Sequence, residues 1–402
     1  MYLASEIPAL SATFVYNEIF QFEERICPVD KVSVHRPDSP ANQEVFDRLG
    51  NQVFHLYGRS LGQRLQSLAK RVAKHPLKFA RAALYLVADS FSLGVFSRTA
   101  FGAVYRFTYA AILAKEMERR NINHLHVHFA HVPGDIAMYA SLMTGIPYSI
   151  TGHANDIYER GWLLKQKVAR SKFFATISEF NRRALIAKGC DGEKINIIRC
   201  GIDQSEFEYR SPRSVTNTKI RIGSLGRLVP KKGFQTLLEA CAIMREESID
   251  FALEIAGDGP LMDELQSQIS RMKLQDHVTL MGSMPHNQVS SWMRSLDIFA
   301  LACCEDENGD VDGIPVVLME AMAVGLPVVT TEVSGLPELV VNGKTGLSGQ
   351  PFDAKTIACR LNELVRDQSL RKRLAEKAAA HVDSEFTIQA NVDKLGELIF
   401  SQ

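Results

Sequence analysis

Chemistry is concentrated in one stretch, Asp312-Gly313-Ile314-Pro315-Val316-Val317-Leu318-Met319-Glu320-Ala321-Met322-Ala323-Val324-Gly325-Leu326-Pro327. From Ile314 to Val324 every side chain is apolar except Glu320. Pro315 suits the first position of a helix, where a missing N–H costs nothing; Gly325 suits the position past its end, and Pro327 forbids continuation. A helix apolar all round is a buried helix. One carboxylate inside it is expensive unless it has partners. Two kinds of partner are open for Glu320: a buried Arg or Lys, or the hydroxyls of a ligand. Asp312, just before the helix, can reach the same place from its loop. The N–H groups after Gly313 would point out of the helix start, towards a place where an anion binds.

A second constellation is Gly226-Arg227-Leu228-Val229-Pro230-Lys231-Lys232-Gly233. It joins a strand pattern to a helix pattern and so puts cations at a strand-to-helix turn. The spacing is neither GxxxxGK[ST] nor GxGxxG. A fixed guanidinium plus an ammonium suits the oxygens of a diphosphate, although a basic turn by itself is commonly just solvated.

Metal chemistry is weighed in two places. Asp306, Asn308 and Asp310 alternate like the start of an EF-hand, but the sixth position would be Val311 instead of Gly and the twelfth Val317 instead of Glu, so that reading fails. His124, His126 and His128 alternate along one strand and share a face. Residues two apart on a strand lie about 7 Å from each other, too far for all three to ligate one ion at about 2 Å. The outer two read as cleft or edge residues. His153 follows the strand pattern Pro147–Thr151, and the carboxyl end of a parallel strand is where α/β sheets place ligands.

The elements that must position these groups alternate. Lys219–Leu225, Phe251–Ala256, Val278–Met281, Ile298–Ala302 and Val328–Thr331 read as strands, with helices at Phe234–Glu247 and Leu261–Met272 between. An earlier set, from a very short Tyr2–Ala4 through Val32–His35, the His124–His131 run, Pro147–Thr151, Phe173–Ser178 and Ile195–Asp203, reads the same way. Strand–helix alternation argues for parallel doubly wound sheets. The polar segment Gln204–Thr218 is the linker candidate. The division expected is a first domain over 1–203 and a second over 204–386, with a final helix, about 387–402, packing back on the first. Its apolar stripe is Ile388, Val392, Leu395 and Ile399.

The chain has 402 residues, 46% hydrophobic, and a formal net charge of +0. Two domains of roughly 200 residues each fit that length. Nothing in the overall charge favours nucleic acid or membrane. Seven scattered cysteines without a CxxC argue against a disulfide framework and for a reducing cytoplasm. The start lacks the basic residues of a signal peptide. No uncharged apolar run reaches the roughly 18 residues of a membrane span; Ala83–Phe96 comes nearest, and Asp89 interrupts it. Between Arg59 and Arg120 the chain is helical in pattern and basic. Leu61, Leu65, Leu68 and Val72 recur at helical spacing, Pro76 breaks the run, and Arg64, Lys70, Arg71, Lys74, Lys78, Arg81, Arg98 and Arg106 meet few acids. Amphipathic helices packing on a sheet account for most of this. Aromatics follow at Phe79, Tyr85, Phe91, Phe96, Phe101 and Tyr105, and a surface resting on anionic lipid through a basic face and inserted aromatics is the functional reading.

Arg227 with Lys232, followed by Asp312-x7-Glu320, closely resembles the retaining glycosyltransferases of family 4, of GT-B architecture. The segments IPALSATF, HVHFA, TGHANDIY, CGID and VSGLPELV resemble the branch that builds bacterial exopolysaccharides, similar to colanic-acid-type enzymes. The resemblance covers nearly the whole chain. It implies two Rossmann-like domains facing across a cleft, an N-terminal one for the acceptor and a C-terminal one for a nucleotide-diphospho-sugar donor. By position, Arg227 and Lys232 would bind the donor diphosphate beside Gly226, and Glu320 would accept hydrogen bonds from the ribose. Asp312 stands where the family usually has Glu, near a hydroxyl of the transferred sugar. Backbone of Gly313, Ile314, Pro315, Val316 and Val317 would line phosphates and sugar, and Gly282 to Val289 would hold the base. His153 would contact the donor sugar, while Ser11, Thr13, His128, His131 and Asp156 are the acceptor-side candidates. Asp310-x-Asp312 is similar to the metal-binding DxD of the other glycosyltransferase fold, but Arg227 and Lys232 already supply cations, and no essential metal or cofactor is expected.

The activity implied is transfer of a hexosyl group, with retention, from a nucleotide-sugar to a saccharide or lipid-linked saccharide in exopolysaccharide or cell-envelope synthesis. The chain would work in the cytoplasm, with possible peripheral contact at the inner face of the plasma membrane. A non-catalytic sugar-nucleotide-binding assembly subunit, or another GT-B enzyme such as an epimerase or phosphorylase, remain as alternatives.

Overall fold

The computed structural model describes residues 1–9, 13–37, 49, 53–211 and 219–401, without the side chains of Thr13 and Asn155. The chain divides into two compact units, Met1–Ile198 with Val392–Gln402, and Arg199–Asn391.

The first unit runs β1 (Tyr2–Ala4), α1 (Thr13–Arg25), β2 (Lys31–Ser33), β3 (Val53–His55), α2 (Leu61–Lys74), α3 (Pro76–Leu93), α4 (Arg98–Arg119), β4 (Leu125–His128), α5 (Val132–Thr144), β5 (Tyr148–Gly152), α6 (Ala154–Tyr158), α7 (Leu164–Arg170), β6 (Phe174–Thr176), α8 (Glu179–Ala187) and β7 (Ile195–Ile197). Its strands form one sheet in the order β3-β2-β1-β4-β5-β6-β7, all pairs parallel. The order reverses between β1 and β4, so the crevice outside their carboxyl ends is the switch point of the sheet. Every residue of β4, β5 and β6 is buried, the burial expected of parallel strands covered on both faces.

Local signals account for the helix boundaries. Ser60 and Gln63 form a capping box at the start of α2, Pro76 opens α3 at a position that needs no N–H, and the Ser97 and Ser178 side chains cap α4 and α8. Such caps stabilise by about 1 kcal/mol each. The stripe Leu61, Leu65, Val72 departs from the sequence reading: all three are exposed, and Leu68 alone of the four packs against the core. The reason is on the other side of α2, where Arg71 rather than a leucine points inward, 4% exposed, and meets Glu118 of α4 at 2.5 Å.

The second unit runs β8 (Ile220–Leu225), α9 (Phe234–Glu246), β9 (Phe251–Ala256), α10 (Met262–Arg271), β10 (Val278–Gly282), α11 (His286–Met293), β11 (Ile298–Leu301), α12 (Val316–Ala323), β12 (Val328–Thr331), α13 (Leu336–Leu339), β13 (Leu347–Gly349), α14 (Ala354–Arg366) and α15 (Gln368–Glu385). The sheet order is β10-β9-β8-β11-β12-β13, again parallel, with its switch point between β8 and β11. Residues 204–211 pack onto this unit: Phe207 lies in its core and the Arg210 N–H donates to the Val324 carbonyl. The remainder of the linker candidate, 212–218, lies outside the described residues.

A last helix, α16 (Ile388–Phe400), begins on the second unit and ends on the first. All four residues of its apolar stripe are buried. Within the first unit Asp393 pairs with Arg25 at 2.6 Å, and Lys172 donates to the Ile399 carbonyl at 3.0 Å.

Candidate functional site

In the second unit two of the predicted groups, Lys232 and Asp312, meet at the switch point. β8 ends at Leu225, and Gly226-Arg227 turn outward; the Gly226 N–H donates to Ala256 O and the Leu228 N–H to Asp258 O. Leu228 is fully buried and anchors the turn, while Arg227 stays exposed. Gly233 closes the turn at φ +66, and a Cβ there would lie 1.7 Å from Ala302 O. Only glycine lets this turn approach the exit of β11 so closely. The Cys304 N–H, in that exit, donates to Lys231 O at 3.0 Å. The loop after β11 then brings back Asp312, which pairs with Lys232 at 2.6 Å and Lys231 at 3.3 Å; Lys231 also pairs with Asp310 at 2.9 Å. Burial alone would raise the Asp312 pKa, but Lys232 and Lys231 hold it below its ordinary value. Lys231 was not singled out from the sequence, although it lies within the same turn.

Helix α12 starts one residue later than the sequence suggested. Pro315 is its N-cap and Val316 its first residue, and the Pro315 carbonyl accepts from the Leu318 N–H. The end is as read: Gly325 at φ +90 with Leu326 N donating back to Ala321 O. Leu318, Met319, Ala321, Met322 and Ala323 face the core, leaving Val316, Val317 and Glu320 on the open side. The first-turn amides have no intrahelical acceptor. Glu320 has no cation within ion-pair distance among the described residues. Burial, and secondarily Glu206, push its pKa up to about 7. Of the two partners open to Glu320, no Arg or Lys is supplied among the described residues. What remains is a half-buried carboxylate on the open face, beside a helix start.

Gly282 ends β10 at φ +73 with open space around its Cα. Val289 ends the segment expected to hold the base, largely through backbone; on α11 its side chain is 4% exposed and belongs to the core.

In the first unit the candidates gather at the carboxyl edge of β4 and β5. Phe129 takes φ +74 directly after β4. The Asp156 carboxylate, 0% exposed, accepts from the His153 N–H at 2.9 Å and the His131 N–H at 3.3 Å. It therefore ties the two loops that carry the histidines. Burial pushes Asp156 up to about 6 against those backbone donors, and pushes His131 down to about 4 and His153 down to about 3. The His153 ring lies tilted against Phe14 and Phe129, its centroid 4.7 and 5.1 Å from theirs. Ser11 lies outside the described residues, as does the side chain of Thr13.

His128 is not an open edge residue. It is 1% exposed and its Nε2 is 3.0 Å from Glu18 Oε1. Glu18, on α1, also brings a ligating atom within 4.8 Å of His126 and His128 together. Counting imidazoles along one strand missed this because the third group comes from 110 positions away. The donors are already engaged: His126 bonds Ser149 at 2.8 Å and Thr151 at 3.1 Å, and Tyr2 donates to Glu18 at 3.1 Å.

Family models agree with this geometry. The segment 13–206 matches Glycosyltransferase Family 4, and 205–381 matches Glycosyl transferases group 1. The amylovoran biosynthesis glycosyltransferase AmsK of Erwinia amylovora is 30% identical over 99% of this chain and 98% of its own. The chain belongs to the family 4 glycosyltransferases. A putative colanic acid biosynthesis glycosyltransferase, WcaL of Salmonella typhimurium, is 29% identical over 98% of this chain and 97% of its own. The fold is that of GT-B glycosyltransferases. The Anabaena protein HepE in complex with UDP is similar over 100% of this chain and 99% of its own, with TM-score 0.73 at 16% identity. A glycosyltransferase from Rickettsia africae matches over 100% and 99% with TM-score 0.69 at 16% identity.

Proposed function

We propose that this glycosyltransferase moves a hexosyl group, with retention, from a nucleotide-diphospho-sugar to a saccharide acceptor carried on a lipid, in exopolysaccharide or cell-envelope polysaccharide synthesis. The observation that carries the donor half is the switch point of the second unit: Arg227, Lys232 and the start of α12 beside a carboxylate without a cation. Arg227 and Lys232 bind the diphosphate; Lys232 keeps N–H donors beyond the one it gives Asp312. Glu320 accepts from the ribose hydroxyls. The amides around Gly313–Val317 face phosphate and sugar, Gly282 opens space for the base, and Asp312 both holds Lys232 and faces a sugar hydroxyl. The similarity to a UDP-bound protein supports a nucleotide donor, and the relatives named for amylovoran and colanic acid biosynthesis support the pathway class.

The chemistry follows from charge. As the anomeric carbon–oxygen bond breaks, negative charge develops on the leaving diphosphate. Two cations and a helix start aimed there stabilise the transition state more than the ground state. A covalent retaining mechanism needs a carboxylate nucleophile, and no residue stands out as one. The family resemblance implies instead that the acceptor hydroxyl attacks on the face the diphosphate leaves, and that its proton passes to the departing phosphate oxygen. His153 contacts the donor sugar, and His128, His131, Asp156, Ser11 and Thr13 belong to the acceptor side, with Asp156 positioning the loops. Catalysis needs no metal. No helix among the described residues is long and apolar enough to cross a membrane, and the reading places the enzyme in the cytoplasm, in peripheral contact with the inner leaflet.

The test is a donor screen by nucleotide release with and without a lipid-linked saccharide acceptor. Release of nucleoside diphosphate only when acceptor is present supports transfer. Nucleotide binding without turnover on any acceptor would favour a non-catalytic assembly subunit.

A further inference from the structure

Helices α2 and α4 enclose a cavity of ≈ 280 Å³ whose wall carries Lys70, Arg71, Lys74, Lys115 and Arg119 against the carboxylate of Glu118. Glu118 is engaged by Arg71 at 2.5 Å and Lys74 at 3.1 Å, and Arg119 by Glu116 at 2.7 Å. Lys70 and Lys115 have no carboxylate within ion-pair distance among the described residues. An anion entering the cavity meets these two ammonium groups without displacing a partner.

The surroundings say which anion. Residues 56–115 hold ten Lys and Arg and a single acid, Asp89. Asp89 is 1% exposed and gripped by Arg170 at 2.6 and 2.7 Å, so it adds no negative charge to the surface. Not all the cations are free: Arg106 is held by Asp135, and Lys78 donates to Thr144 O. The basic face read from the sequence is therefore smaller than its composition suggests, and Lys70 and Lys115 of it line the cavity. What the three helices expose instead is apolar. On α3, Leu77, Leu84 and Phe91 recur every seven residues at 86, 72 and 70% exposure, and Phe96 beyond its end is 89% exposed. Residues seven apart share one helix face. The opposite face of α3 carries Ala82 and Asp89 into the unit, and the outward stripe is exposed, with no partner among the described residues.

We infer that the cavity between α2 and α4 binds the phosphate of an anionic lipid headgroup, and that the α3 stripe with Phe96 enters the same bilayer leaflet. An apolar stripe flanked by cations is the pattern of a helix lying in a membrane interface. A second copy of the chain is disfavoured, since a surface carrying one sign of charge repels itself. This deepens the proposal of a membrane-borne acceptor by naming the surface that meets the membrane.

The experiment is co-sedimentation of the full chain with vesicles of phosphatidylglycerol in phosphatidylcholine, and of phosphatidylcholine alone. Wild type should bind the anionic vesicles and only weakly the neutral ones. Lys70→Glu with Lys115→Glu should weaken partitioning to anionic vesicles at least about 25-fold, from about fivefold for each cation removed. Leu84→Ser with Phe91→Ser and Phe96→Ser, all at exposed positions, should remove the binding that survives about 0.5 M salt, where charge is screened. Inorganic phosphate at millimolar concentration should leave vesicle binding intact; abolition by it would assign the cavity to a free anion and overturn the inference. Absence of binding to anionic vesicles at low salt, or equal binding by both variants, would also overturn it. So would a wild-type dimer in sedimentation velocity that the apolar variant dissolves. Nucleotide titration of the same samples is read without lipid, so failure here and failure of the donor-site reading are separable.

Discussion

Glu320 makes a quantitative prediction. In the free protein its pKa stands at about 7 against the ordinary 4.5, raised by burial and then by Glu206. Ribose hydroxyls donate to the ionised form, so a bound nucleotide stabilises the carboxylate and lowers its pKa. If binding restores the ordinary value, affinity rises between the acid and alkaline limits by at most about 300-fold, about 3.4 kcal/mol. Between pH 5.5 and pH 8 the same two values give roughly 25-fold. The sign is fixed: affinity increases as pH rises and levels off above about 7. Folding stability of the free protein runs the other way. A carboxyl raised on folding contributes stability at acid pH that is lost as pH climbs from the ordinary value to about 7. Isothermal titration with UDP, GDP and ADP across this range measures the first effect, in buffers of differing ionisation enthalpy to count the proton released. The nucleotide's own phosphate titrates near pH 6, so Glu320→Gln is the control: it should bind more weakly at pH 8 and show a flatter profile. An identical profile in wild type and Glu320→Gln, or affinity falling with pH, would refute the assignment of Glu320 to the ribose.

Three further outcomes are expected. Lys232→Met should lower kcat about a hundredfold, on the order of 3 kcal/mol, with native circular dichroism, since Asp312 keeps Lys231 at 3.3 Å. Gly233→Ala should destabilise the second unit by about 3 kcal/mol in denaturant melts, because its Cβ would meet Ala302 O and alanine resists positive φ. Overnight treatment with EDTA should leave transferase activity unchanged; complete loss rescued by Mn²⁺ would restore the DxD reading of Asp310 and Asp312.

Much of the second unit was legible in the sequence because its signals are local. The α12 stretch carries its own start, stop and odd carboxylate, and the turn Gly226–Gly233 carries its cations and its glycine within eight positions. Pro315 and Val289 mark the limits of local reading. A proline serves equally at N1 or the N-cap, and one valine in a loop-and-helix stretch gives no sign of which way it faces. The first unit was less legible because its decisive contacts are long-range. Glu18 meets His128 across 110 positions. Asp89 reads as a flaw in an apolar run until Arg170, 81 positions away, is found against it. Arg71 and Arg106 look like surface cations by composition and are instead held by Glu118 and Asp135. The exposed stripe on α3 has the same period as a buried one, so periodicity locates the face but does not say what covers it.

The central claim is that Arg227 and Lys232, at the switch point of the second sheet, grip the diphosphate of a nucleotide. Titrating nucleoside diphosphates into wild type and Arg227→Ala tests it most directly. The Arg227 side chain is exposed, so the variant should fold normally. The account predicts that one nucleoside diphosphate binds wild type and that Arg227→Ala weakens it by about tenfold or more, as loss of a charged hydrogen bond requires. Equal binding by both proteins would contradict it.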